Sequence, residues 1–170
     1  YASGMGVSLT DGVAPTLSVG GVNYQYSGAI ADGTVAFALK GMSAAVSNYV
    51  TLTGDVGFKK VGSQIVATGS GLTARLEASG SVYAQIAGAS FGLIADDGKT
   101  VFELKATPGT NGAALTVALG GFASVSAASV LVQYASGMGV SLTGAVAPTL
   151  SVGGVNYQYS GAIADGTVAF

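Results

Sequence analysis

The chain has 170 residues, of which 49% are hydrophobic and only 8% charged, with a formal net charge of −2; an average soluble domain is about 25% charged. It has no Cys, no His and no Trp, which excludes a disulfide framework, a thiolate metal site, a cysteine nucleophile and the commonest general base. Six Lys and Arg against eight Asp and Glu leave no basic footprint for nucleic acid.

Strand patterns run along the whole chain. Val22-Asn23-Tyr24-Gln25-Tyr26 alternates apolar or aromatic residues with amides, the period-two signature of a strand. Ala31-Asp32-Gly33-Thr34 reads as a hairpin turn between two apolar runs. Helix is poorly supported; Gly41-Met42-Ser43-Ala44-Ala45-Val46-Ser47 allows two turns at best. Lys59-Lys60-Val61-Gly62-Ser63 is a looser hairpin. Residues 72–78 alternate again. The clearest hairpin follows: 91–95, the turn Asp96-Asp97-Gly98-Lys99, then 100–106. Gly98 there can take the positive φ of a type I′ turn. Thr107-Pro108-Gly109-Thr110-Asn111-Gly112 reads as a loop. No run of about 20 apolar residues exists, so no transmembrane helix is expected. No signal peptide is visible.

Residues 134–170 then repeat residues 1–37, differing at Asp11 against Gly144 and Gly12 against Ala145. The period is 133 residues: 1–133 is one full unit and 134–170 the start of the next. Residues 34–166, one period, carry six acids and six bases, so the unit is neutral. Both ends fall inside strand-like runs, which reads as a window onto a longer tandem array. No Pro-rich or charge-rich joint marks each period, which favours a continuous fold over separate beads.

The fold expected is therefore all-β. It is an elongated, continuous β-solenoid or β-roll-like repeat with antiparallel hairpin rungs; tandem β-sandwich domains are the alternative. About a dozen strands at ~4.8 Å each would advance ~50–60 Å per repeat.

Candidate chemistry is thin. Asp96-Asp97-Gly98 lacks the alternating donors and distal Glu of a calcium loop and reads as a turn. Asp97 and Glu103 as a glycosidic carboxylate pair give way to a solvated charge group, Glu103 beside Lys105. Gly4-Met5-Gly6 and Val19-Gly20-Gly21 lack the strand–loop–helix setting of a phosphate cradle and read as bends. Ser3, Ser18 and Ser27 have no base placed beside them, and Lys59-Lys60 is too short for a binding patch. Tyr24 and Tyr26 share one strand face, for packing, sugar rings or an inter-fibre contact. No catalytic residue, metal or cofactor is expected.

Residues 51–80 (TLTGDVGFKKVGSQIVATGSGLTARLEASG) followed by 91–109 (FGLIADDGKTVFELKATPG) resemble, in rhythm, repeats of giant secreted or surface adhesins of Gram-negative bacteria. That resemblance implies export to the cell surface, many repeats and a stalk or fibre role without catalysis. The acidic clusters of the calcium sites such proteins often carry are missing. The expectation is a structural tandem-repeat protein of an extracellular fibre, filament or adhesin stalk. Its partners are other copies of itself, end to end or side by side, and a surface or glycan. The alternatives are a bead-like adhesion module that binds glycan and a membrane- or lipid-associated β-structure.

Overall fold

A computed structural model describes residues 6–46, 49–107 and 112–170. Among them the chain is all-β, and every strand pairing is antiparallel. A short hairpin, β1 (Thr16–Val19) and β2 (Val22–Gln25), comes first. Four long strands form a meander: β3 (Thr34–Val46), β4 (Val50–Val61), β5 (Gln64–Ser79) and β6 (Val82–Asp96). Then come β7 (Lys99–Ala106), β8 (Leu115–Leu119), β9 (Ser124–Ala127) and β10 (Val130–Ser136). A second short hairpin, β11 (Thr149–Val152) and β12 (Val155–Gln158), precedes β13 (Val168–Ala169).

The main sheet has nine strands and is open, with the path β13-β10-β7-β6-β5-β4-β3. Of the ten strands within residues 34–166, six lie on this path. At ~4.8 Å each they advance roughly 29 Å per period, half the length expected from the sequence. β8 and β9 branch off β6, while β11 and β12 form their own small sheet.

The turns follow their residues. Asp97 and Gly98 have φ of 47° and 77°, and Asp96 pairs with Lys99, so the two-residue turn expected there is present. Gly62 (φ 59°) closes the β4–β5 hairpin, whose last pair is Val61 and Gln64. The Asp32-Gly33 turn exists, with Thr34 N–H donating to Ala31 C=O (3.2 Å), but it joins no hairpin. β3 pairs with β4, and Ile30 instead bridges Val7. The two turns of helix that the sequence allowed from Gly41 do not form among the described residues. Residues 41–46 continue β3, where Ser43, Ala44 and Ala45 pair with Thr53, Leu52 and Thr51. Two alanines give too little helix to compete with a ready-made partner strand. Ser47 and the loop residues 108–111 lie outside the described residues.

The long strands bend together. Gly41, Gly54, Gly71 and Gly88 all take positive φ, and the ladder shifts register beside each of them. A bulge there re-aims the strand, and glycine adopts it without Cβ strain. The Asp55 carboxylate accepts from the bulged Gly41 N–H (2.7 Å). A small core of Leu72, Ala89, Ala106 and Ala114 lies near the bends. A second core joins Val101 and Ala135 of the sheet to Val140, Tyr157, Tyr159 and Ile163 of the hairpin segment. Among the described residues no helix is long and apolar enough to cross a membrane.

Candidate functional site

Six residues fall in register across the sheet: Ala38, Gly57, Thr68, Gly92, Glu103 and Gln133. Side chains alternate between faces along a strand, so this row shares one face. Its first four members are small and leave a trough. The β11–β12 hairpin lies in that trough and crosses several strands.

The fit is close at two glycines. A Cβ on Gly57 would stand 2.8 Å from the Val152 Cβ, and one on Gly92 would overlap the Tyr157 ring. Thr68, fully buried, donates through Oγ1 to Val155 C=O (3.1 Å). Lys105 Nζ donates to Gln158 C=O (2.5 Å) and stands 4.9 Å from the centroid of the Tyr157 ring. Tyr157 and Tyr159 meet edge to face at 5.4 Å.

At the base of the hairpin sits Glu103, with no solvent exposure. Its Oε1 accepts from Tyr157 O–H (2.6 Å), Ser160 N–H (2.7 Å) and Ser160 Oγ (2.9 Å). Its Oε2 accepts from Gln133 Nε2 (2.6 Å). Among the described residues the one ion pair is elsewhere, Arg75 with Glu77 (2.6 Å). The buried charge is therefore held by hydrogen-bond donors, which are stronger toward a charged acceptor. Burial pushes the Glu103 carboxyl upward, but the bonds from Tyr157, Gln133 and Ser160 outweigh it and hold the carboxyl below its ordinary value. Burial and the Glu103 charge push the Tyr159 hydroxyl up to about 12. The Tyr157 hydroxyl rises further, from burial and its bond to Glu103. Both tyrosines stay protonated, and Tyr157 keeps its donor proton.

Glu103 departs from the solvated charge group expected of it. It does share a face with Lys105, but the hairpin roofs it over. Asp97 sits at the tip of the β6–β7 turn, so the two carboxylates form no pair across a cleft. Asp96 Oδ1 accepts from Ser63 Oγ (2.6 Å), and no group of three acidic residues gathers to hold a metal among the described residues. Lys59 and Lys60 are successive residues of β4 and point to opposite faces. Val19-Gly20-Gly21 is the tight bend of the first hairpin, with φ of 59° and 83° at the glycines. Tyr24 and Tyr26 share a face as expected, edge to face at 5.5 Å. Ser18 and Ser27 are exposed. Ser3, Gly4 and Met5 lie outside the described residues.

Gly57, Thr68, Gly92, Gln133 and Ser160 drew no attention in the sequence. One signal was there: Glu103 sits in an alternating run whose intervening residues, Phe102 and Leu104, belong to the other face. An acid in a run of this kind needs donors. No family model matches the chain, and neither a curated protein nor a solved structure does.

Proposed function

We propose that this chain belongs to an inert structural fibre. It is a tandem-repeat protein of an extracellular filament or adhesin stalk, without catalysis, whose antiparallel sheet runs on through successive repeats as a β-solenoid. One observation carries this reading. β13 pairs with β10 through Val168 and Ala169, facing Tyr134 and Gln133. Those residues are the second copy of Val35 and Ala36, which begin β3 at the opposite edge of the sheet. The two edges thus carry partners for each other's copies, and repeats joined this way leave no unpaired edge between them.

Other features support it. Neutral repeats lack the charge repulsion that keeps proteins apart. The sheet face away from the hairpin carries Phe37, Phe58, Ala67, Leu93, Phe102 and Tyr134 in register, with Phe37 half exposed at 51%. Phe37 stacks on Phe58 at 5.4 Å. That aromatic row supports side-by-side association of fibres. Electron microscopy of the native protein tests the reading. An unbroken rod with an axial repeat of roughly 29 Å, six strands at ~4.8 Å, is expected. Compact beads on flexible links would overturn it.

A further inference from the structure

One sequence occurs twice in this chain, in two environments. Val19, Val22 and Tyr24 are 67%, 75% and 61% exposed, whereas their second copies Val152, Val155 and Tyr157 are 3%, 1% and 2% exposed. The backbone is the same in both. Thr16 pairs with Gln25 as Thr149 pairs with Gln158. Val7 bridges Ile30 as Val140 bridges Ile163, and the tyrosine pairs share one geometry. The hairpin therefore keeps its shape without the sheet beneath it. A segment already shaped for its seat loses little entropy on docking.

The surroundings of the first copy fit a neighbour of the same kind. A cavity of about 350 Å³ opens between Ser27, Ile30, Thr34 and Ala36 on one side and the hairpin tip Ser151–Gly153 on the other. The Thr34 hydroxyl there is buried with no hydrogen-bond partner among the described residues. The exposed Ser27 is the first copy of Ser160, which bonds Glu103. The tip of the second hairpin thus reaches the base of the first.

We infer that the hairpin of residues 7–30 docks on the Glu103 face of a second copy of this chain wherever that face is free of its own 140–163 hairpin. Tyr24 takes the place of Tyr157, Ser27 that of Ser160, and the Gln25 carbonyl that of Gln158 against Lys105. This rests on the fibre reading and adds its joint: each repeat's hairpin roofs the sheet of the repeat before it.

In the full chain the seat is filled by the chain's own second hairpin, so the test empties it. Val155→Asp ejects that hairpin, and the intact 7–30 hairpin of another molecule can then enter. Such a contact is head-to-tail and does not close on itself, so light scattering should report a mass rising with concentration to about twice the monomer's and beyond. The double variant Val22→Asp/Val155→Asp should stay monomeric. A monomeric Val155→Asp chain that keeps its strand circular dichroism overturns the inference, as does equal association of the double variant. Should Val155→Asp lose its strand signal, cross-linking decides. The chain has no native cysteine, and Gly57 lies against Val152, the second copy of Val19. Gly57→Cys sets a side chain against Val152 and so pushes the chain's own hairpin off its seat. In Val19→Cys/Gly57→Cys chains that keep their strand circular dichroism, a disulfide between positions 19 and 57 of different molecules, mapped by mass spectrometry, supports docking; its absence overturns it. Rods in the microscope with no docking here would leave the fibre reading intact and refute the joint alone.

Discussion

Tyr157→Phe and Tyr24→Phe remove the same hydroxyl from the same sequence in two settings. At position 157 the ring stays against Gly92, so no large cavity opens, but Glu103 loses one of its four donors. A hydrogen bond to a charged group contributes about 1.5–3 kcal/mol, and the carboxylate left behind has no water to turn to. At position 24 the ring is mostly exposed, and an exposed change of this kind stays within about ±0.5 kcal/mol. Urea unfolding of the wild type and the two variants should therefore separate them by about 2 kcal/mol. In thermal melts this corresponds to roughly 4–8 °C for a chain of this size. Tyr157→Phe should also raise the Glu103 carboxyl toward its ordinary value, so that acid destabilises the variant at a higher pH than the wild type. Equal stabilities for Tyr157→Phe and Tyr24→Phe would refute the argument that this hydroxyl holds the hairpin to the sheet.

The other predictions follow from the same geometry. The folded chain holds the Glu103 carboxyl low, so its contribution is present in full above the ordinary carboxylate range and is lost as pH falls through the depressed value. Denaturant midpoints across acid pH should show that loss, and Glu103→Gln should remove it while costing at least about 2 kcal/mol at neutral pH. Gly92→Ala drives a Cβ into the Tyr157 ring and should cost about 1–3 kcal/mol. Gly28→Ala, with open space around it, should change stability by less than about 0.5 kcal/mol in the same urea assay. Ala145 holds φ of 68° where the first copy has Gly12 at 78°, so Ala145→Gly should stabilise the chain by about 1 kcal/mol, read as a higher melting temperature.

The fold class was legible because it rests on local chemistry. Alternation at 101–105 and Asp-Gly at 97–98 specify strands and a turn without reference to distant residues. The 133-residue period needs only the text of the chain. The choice between strand and a short helix at 41–46 was open for the same reason: local pattern cannot see that β4 offers those residues a partner strand.

What the tertiary structure alone decided is where the repeated hairpin goes. Nothing in Val22-Asn23-Tyr24-Gln25-Tyr26 differs from Val155-Asn156-Tyr157-Gln158-Tyr159, yet one is exposed and the other buried. Burial is a property of the surface opposite, here a row built from six separate strands that includes Gly57, Gly92 and Glu103. Each of these residues is unremarkable where it stands in the chain. Only strand register sets Gly57 beneath Val152, Gly92 beneath the ring of Tyr157 and the carboxylate within reach of its hydroxyl. The sequence by itself determined the material and its period; pairing across 87 residues, from Thr68 to Val155, determined the joint.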